Sequence, residues 1–299
     1  MKKLAIYVFV SLLGFSGSLM AQERSDNGVN PLSLRPIETI NQAKKYTLWR
    51  RIDLREKVNL PFFAKGSEIT KHIIDGVRAG VLEPFSNDSL ATKITLEEFN
   101  KRIHRDFEGG GLSQDEIDAG FGKATEEDLG WGSETTTSTE TKKASSSQDG
   151  WGDDQVTQLA TGYDLLPSEL YLIELKEDWI FDSQRSRAYY DVLVVTIKIP
   201  AEYSPEGIER DLASFKYKEL ESYFRLNPNC LWFNEENTAK HMNYADAIEL
   251  RLFSGRIVRT SDPRNRYLDQ IYKNPREALL KSQEWEYKIM EEESNLWEN

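Results

Sequence analysis

The chain has 299 residues, of which 39% are hydrophobic and 11% aromatic, and its formal net charge is −12. This acidic balance argues against general nucleic-acid binding, because neutralising phosphates requires clustered lysine and arginine. The single cysteine, Cys230, cannot form an internal disulfide, so stability must come from a hydrophobic core in which we expect the thiol to be buried.

The first residues have the pattern of a secretory signal peptide. Lys2 and Lys3 precede an apolar run over residues 4–15, which is too short to cross a bilayer as a helix. Small residues then lead to Ala21, so we expect residues 1–21 to be removed. No cysteine follows the apolar run to accept a lipid, and no later stretch is apolar enough to span a membrane. The sequence therefore predicts an exported, soluble mature chain.

Residues 22–106 are predicted to form a small N-terminal globular unit of helices and extended segments. Alternating charged and apolar residues at 51–55 favour a half-buried extended segment that turns helical or looped toward Pro61. A helix is predicted in EITKHIIDGVRA, with Ser67 as its cap and Gly80 at its end. A second helix is predicted after Thr95, where a capping box with Glu98 is expected.

Residues 107–160 are predicted to be a flexible acidic linker rich in glycine, serine and threonine. Such a composition cannot bury enough apolar area to offset the entropy lost on ordering. Trp131 and Trp151 lie in the similar sequences LGWGSE and DGWGDD. These tryptophans are either short binding motifs for a partner or duplicated low-complexity sequence, and the sequence leaves both interpretations open.

Residues 161–299 are predicted to form a C-terminal α+β unit. Two strands, at 170–182 and 187–200, are separated by SQRS, which suits a hairpin loop. Charged and apolar residues alternate along both strands, so we expect one sheet face to be covered and the other partly wet. Further helices are predicted around residues 212–224 and 245–253, a strand at 254–260, and a long amphipathic helix at 275–297. The whole chain is thus predicted to be α+β, with an antiparallel, hairpin-based sheet and packed helices.

A search for catalytic patterns finds none. The three histidines, His72, His104 and His241, lack metal-ligand spacing, and neither a nucleophile elbow nor a phosphate-binding glycine loop is present. We therefore predict no catalytic, cofactor-binding or metal-binding residues. Two functions remain as alternatives to a structural role. A periplasmic hydrolase acting on glycan or peptide would need a cleft that contains a carboxylate or histidine with a shifted pKa. A soluble carrier for exported proteins would need a large exposed apolar groove.

The stretch YTLWRRIDLREKVNLPFF, at residues 46–63, has the composition of an interaction surface. Arginine beside aromatic rings is enriched at protein–protein hot spots, although an ordinary solvated face is an equally good interpretation. Together with the two linker tryptophans, the residues predicted to bind a partner are Trp49, Arg50, Arg51, Asp53, Arg55, Phe62, Phe63, Trp131 and Trp151.

Long blocks on both sides of the linker carry a family resemblance. Before the linker they read YTLWRRIDLREKVNLPFFAK and ITKHIIDGVRAGVLEPF, and after it YLIELKEDWIFD, YYDVLVVTIKIP and FNEENTAKHMNYADAIELRLFSGRIVR. These blocks resemble the GldN/PorN family, periplasmic components of the type IX secretion and gliding-motility machinery of Bacteroidetes.

The resemblance implies a non-enzymatic structural subunit in the periplasm. Family members assemble with an outer-membrane lipoprotein of the GldK/PorK type into a ring, in which the subunit also contacts copies of itself. The ring connects to the inner-membrane motor through a periplasmic stalk of the GldM/PorM type. The resemblance thus implies membrane contact only through partners, no nucleic acid and no cofactor.

Overall fold

The computed structural model of the protein describes residues 28–106 and 162–297. Of these, residues 28–103 and 165–297 form one compact unit, and residues 104–106 and 162–164 belong to a second. The predicted signal peptide and the linker motifs at Trp131 and Trp151 lie outside the described residues. Those predictions and the boundaries at 106/107 and 160/161 therefore stay predictions.

The segment before the linker forms one long strand, a short hairpin and two helices. In chain order these are β1 (Gln42–Asp53), β2 (Phe63–Ala64), β3 (Ser67–Glu68), α1 (Ile69–Arg78) and α2 (Leu96–Ile103). In the second compact unit, β4 (His104–Asp106) pairs antiparallel with β5 (Gly162–Asp164).

The segment after the linker supplies most of the sheet and the remaining helices. Its elements are β6 (Leu172–Asp182), β7 (Arg187–Ile199), β8 (Arg210–Lys216), α3 (Tyr217–Leu226), β9 (Leu231–Trp232), β10 (Met242–Asn243), α4 (Tyr244–Glu249), β11 (Arg256–Thr260), α5 (Leu268–Ile271) and α6 (Pro275–Trp297). The predicted α+β class is confirmed.

The main sheet has five strands in the order β11-β1-β6-β7-β8, and every neighbouring pair is antiparallel. β1 comes from the segment before the linker, yet it lies between two strands from the segment after it. The sequence left open whether the two segments pack together. In the structure they share one sheet, so residues 28–103 complete the fold of residues 165–297.

Several local predictions are confirmed. β6 and β7 form a hairpin joined by residues 183–186, the predicted SQRS loop. The Oγ1 of Thr95 accepts a hydrogen bond from the backbone N–H of Glu98 at 3.2 Å, which is one half of the predicted capping box, while Glu98 Oε1 accepts from Arg102 at 2.8 Å. Gly80 follows the end of α1 with a φ of +72°, a conformation that suits glycine. Cys230 is buried.

The helix predicted around residues 212–224 is wrong in its first half. Leu212 and Phe215 lie on β8, and the helix begins only at Tyr217. The apolar spacing of this stretch also suits a strand that is covered on both faces, and pairing with β7 decides the outcome. The next helix, predicted at 245–253, is shorter than predicted, because it ends at Glu249.

Ser67 does not cap α1 as predicted. It lies in the short hairpin strand β3, and the N-cap position belongs to Glu68. The Oγ of Ser67 instead lies 3.1 Å from Nε2 of His72.

The charged face of the sheet is less exposed to solvent than predicted, although the first residues of β1 and β7 include exposed and half-buried positions. On β6, only Lys176 is not buried. One face is covered by two apolar clusters, and charged side chains on the other face pair with each other beneath the loops that contain Asp88 and Tyr267. Alternating charge along β6 therefore reflects buried ion pairs and not exposure to solvent.

The apolar face is divided between two clusters. Helices α1, α3 and α4 pack on the larger cluster, around residues such as Ile73, Leu220 and Tyr244. Helix α6 packs on the smaller cluster, where Ile289 meets Trp179 of β6. Burying each such aliphatic side chain contributes roughly 1.5–3 kcal/mol before the loss of chain entropy is counted.

Candidate interaction site

Strand β1 carries four of the residues predicted to bind a partner, Trp49, Arg50, Arg51 and Asp53. Successive side chains of a strand point to opposite faces, so Arg50 lies on the clustered apolar face, whereas Trp49 and Arg51 lie on the charged face. β1 has neighbours on both edges, and its residues are therefore held from both sides.

Arg50 is the centre of a buried charge network between the two apolar clusters. Its Nε donates to Glu177 Oε1 at 2.9 Å, its Nη1 donates to the carbonyl of Gly255 at 2.8 Å, and it also pairs with Glu286 of α6. Arg251 Nη1 donates to the other oxygen of Glu177 at 2.7 Å. Glu177 thus bridges two guanidinium groups.

The electrostatics of this network favour its charged form. Burial alone would raise the pKa of Glu177, but Arg251 and Arg50 outweigh it and hold the pKa below its ordinary value. The Arg50 pKa is raised because its two carboxylate partners outweigh the effect of burial. The network joins β1, β6 and α6 in one ionised cluster.

Trp49 belongs to a second cluster on the charged face. Its ring Nε1 donates to Asp88 Oδ2 at 2.7 Å, and the guanidinium of Arg259 lies 3.9 Å from the ring centre. Asp88 also pairs with Arg259, whose side chain is only 6% exposed. The loop that carries Asp88 is thereby fixed across β1 and β11.

Arg51 lies at the border of a third group of charges. Its Nη2 is 2.9 Å from Glu209 and 3.9 Å from Glu174. Glu174 also lies 3.4 Å from Lys198 and accepts a 3.1 Å hydrogen bond from the hydroxyl of Tyr267. Burial raises the pKa of Glu174 even though Lys198 and Arg51 act against it.

The remaining predicted residues in the described part of the chain divide by exposure. Phe62 is buried against Tyr244, with ring centres 5.8 Å apart, and Phe63 packs on the larger cluster. Asp53 pairs with Arg55, whose side chain is 53% exposed and lies over the ring of Tyr171.

Three of these residues are buried and contact other parts of the same chain: Trp49, Arg50 and Phe62. Arg55 is the most exposed of the predicted residues that the structure describes. The structure brings these residues together along β1 and the turn that follows, but most of them serve the fold. That any of them binds a partner stays a prediction.

An open groove adjoins the charged face. It has a volume of about 290 Å³ and lies between β11, α5 and the first turns of α6, with Arg51, Arg256, Tyr267 and Leu279 in its lining. A second open depression, of about 520 Å³, shares Arg51 and Tyr267.

The residues with metal-binding or nucleophilic chemistry are dispersed. In residues 28–106 and 162–297, no group of three or more His, Cys, Asp or Glu could hold a metal ion. Burial lowers the pKa of His72 and raises that of Cys230 to about 12. Within the same described ranges, no helix is long and apolar enough to cross a membrane.

The sequence prediction missed the division of α6 into two apolar faces. It treated residues 275–297 as one amphipathic helix with a single apolar face. The structure packs Trp285, Ile289 and Leu296 against the sheet and leaves Leu279 and Met290 exposed. A helical projection of residues 275–297 separates the two groups and could have revealed the outward face.

Comparison with known protein families gives a match to most of the chain. A family model described as "Gliding motility associated protein GldN" matches residues 37–298. That range includes every strand of the main sheet and the whole of α6. No curated protein matches the chain.

Proposed function

The chain belongs to the GldN family of gliding motility associated proteins, and we propose that it is a non-enzymatic structural subunit of a periplasmic ring in the type IX secretion apparatus. In this ring it binds an outer-membrane lipoprotein of the GldK/PorK type, contacts further copies of itself and couples to the inner-membrane motor through a stalk of the GldM/PorM type. The family makes the chain a component of the gliding and secretion machinery. The ring and the named partners are the proposal.

The observation that carries the proposal is the extent of the family match. It begins before β1 and ends at residue 298, so the shared sequence includes the sheet on both sides of the linker. The family description therefore applies to the whole sheet and not to a part of it, and we infer from it a structural role for the fold.

The architecture suits a part that transmits force. β1 is hydrogen-bonded along both edges, to β6 and to β11. It is further tied to α6 by the pairing of Arg50 with Glu286 and of Lys44 with Glu292. Pulling β1 out of the sheet would break two backbone ladders at once and expose buried charges, which is costly. Such a sheet would hold its shape between an outer-membrane anchor and a moving stalk.

Location follows from the predicted signal peptide over residues 1–21. An exported chain can be held at the outer membrane by binding a lipidated partner. We therefore propose that the protein lies in the periplasm, peripheral to the outer membrane.

Reconstitution with the lipoprotein tests the proposal. The mature chain is mixed with a GldK/PorK-type lipoprotein that lacks its lipid, and the mass of the product is measured by light scattering after size exclusion. We expect a large assembly that contains both proteins and appears as rings in electron micrographs. A chain that stays monomeric in the presence of the lipoprotein would contradict the proposal.

A further inference from the structure

The outward face of α6 is an exposed apolar stripe. Its members recur at alternating steps of three and four residues, the spacing of a coiled-coil seam. Four of the six positions are large and apolar, with exposures of 54% at Leu280, 68% at Tyr287, 55% at Met290 and 60% at Trp297. The other two positions are the exposed polar residues Gln283 and Ser294. We call these six residues the α6 seam.

The seam is separate from the face that packs on the sheet. Trp285, Ile289 and Leu296 belong to the smaller apolar cluster, and Ile289 is only 1% exposed. The seam extends along about 26 Å of helix at 1.5 Å per residue. An exposed apolar surface of this length is typical of a protein-interaction site and is not needed by a solvated helix.

Both flanks of the seam are acidic. In the heptad that the spacing defines, the positions beside the seam hold Glu284 and Glu291 on one side and Glu286 and Glu293 on the other. The two lysines of the same stretch, Lys281 and Lys288, do not occupy these flanking positions. The Nζ of Lys288 lies over the ring of Trp285, 4.3 Å from the ring centre. Flanking positions of this kind set the choice of partner in coiled coils.

Two of these four glutamates form no ion pair within the described part of the chain. Glu286 pairs with Arg50, and Glu284 pairs with Lys281 at 2.5 Å. Glu291 and Glu293 have no ion-pair partner among residues 28–106 and 162–297. Their charges are therefore available to a neighbouring molecule.

The flanks argue against a second copy as the occupant. In a parallel pair of α6 helices, and equally in an antiparallel pair, glutamates of one copy would lie opposite glutamates of the other, which is destabilising. An anionic membrane surface would be repelled for the same reason, because helices that lie on such surfaces carry lysine and arginine.

We propose that the α6 seam binds an α-helix of another protein, one with apolar side chains at the same three-and-four spacing and lysine or arginine at its flanks. Gln283 and Ser294 fix the register of the pair, as polar residues within a seam do. This inference rests on the proposed role as an assembly subunit, and it names the surface and the chemistry of one partner.

Two matched peptides test the seam. Each has three heptads with leucine at the seam positions; one carries lysine at all flanking positions and the other glutamate. Binding of each labelled peptide to the full chain is measured by fluorescence anisotropy. We expect the lysine-flanked peptide to bind at least about tenfold more tightly than the glutamate-flanked peptide, and the difference to shrink as salt is added.

Variants assign that binding to α6. The double change Tyr287→Ser and Met290→Ser should weaken binding of the lysine-flanked peptide by about tenfold or more. The double change Glu291→Lys and Glu293→Lys should reverse the preference between the peptides. The matched control is Glu235→Lys with Glu236→Lys, which makes the same charge change at two exposed residues between β9 and β10 and should leave the preference unchanged. Circular dichroism and thermal unfolding establish that each variant folds.

The inference is overturned if the two peptides bind equally, or if the control pair shifts the preference as much as the α6 pair. It is also overturned if the seam variants abolish a dimer of this chain or binding to anionic vesicles while peptide binding is unaffected. These failures differ from failure of the proposed function. If the wild-type chain assembles with the lipoprotein but binds neither peptide, the inference about the α6 seam is refuted and the proposed function is not.

Discussion

Replacing Glu177 by glutamine tests whether the buried charge network holds the sheet together. Glu177 is fully buried and joins Arg50 and Arg251. Glutamine keeps the size of the side chain but removes the negative charge, so two guanidinium groups lose their shared partner. Removing one member of a buried ion pair typically costs about 3–5 kcal/mol.

The expected loss lies at the lower end of that range. Arg50 keeps Glu286 and the carbonyl of Gly255, and the Arg251 side chain is 26% exposed. We therefore expect Glu177→Gln to lower the free energy of unfolding by about 3 kcal/mol. The midpoint of thermal unfolding should fall by about 6–12 °C for a fold of this size.

Urea unfolding followed by tryptophan fluorescence measures the change directly. The control is Glu284→Gln, which removes a charge from an exposed ion pair on α6 and should change stability by less than about 0.5 kcal/mol. Equal effects of the two substitutions would refute the reasoning.

The pH dependence supplies an independent check. The pKa of Glu177 is below its ordinary value in the folded chain, so its contribution is complete above the unfolded pKa of about 4.3. That contribution is lost as the pH falls through the folded pKa. The gap in stability between the wild type and Glu177→Gln should therefore be largest near neutral pH and should shrink in acid.

Three further substitutions and treatments have definite outcomes. Burial raises the pKa of Asp191 to about 6. The neutral carboxyl therefore favours folding at low pH, and this contribution to stability is lost as the pH rises through 6. In urea unfolding, Asp191→Asn should add about 2 kcal/mol of stability at pH 8 and almost none at pH 4. A Cβ on Gly255 would lie 2.8 Å from the carbonyl oxygen of Arg51, so Gly255→Ala should cost about 1–3 kcal/mol by the same assay, and an unchanged unfolding midpoint would contradict the close approach. Cys230 is buried and its pKa is raised to about 12, so iodoacetamide should alkylate it slowly in the native protein and rapidly in urea, and equal rates would contradict its burial.

The hairpin and the terminal helix could be predicted from sequence because their signals are local. β-Branched and aromatic residues with a short polar loop specify the hairpin of β6 and β7, and Pro275 begins a helix whose length follows from its periodicity. The thiol of Cys230 was predicted to be buried from its residue type alone. These inferences need no knowledge of distant contacts.

The place of β1 could not be predicted, because it depends on pairing across the linker. Nothing within residues 42–53 indicates that β6 and β11 will lie on its two edges. For the same reason Arg50 was interpreted as a surface residue, since its partners Glu177 and Glu286 lie more than 100 residues away. An arginine that follows a tryptophan, as Arg50 follows Trp49, has the same local sequence at an interface as in a buried pair.

The α6 seam shows how one helix can carry two apolar faces with the same seven-residue step. Ile289 and Leu296 are seven residues apart and face the sheet, while Met290 and Trp297 repeat the same step and face outward. A search for a single amphipathic face merges the two groups. The glutamates beside the outward-facing residues distinguish that group from the residues that face the sheet.

Purification from native membranes tests the structural role most directly. The chain, expressed from its own locus with an affinity tag, is extracted in mild detergent, sized and analysed by cross-linking and mass spectrometry. We expect a large assembly that contains several copies of the chain, an outer-membrane lipoprotein and a stalk protein, with cross-links from lysines beside α6 to a helix of another subunit. A chain recovered alone and at the mass of a monomer would contradict the proposed function.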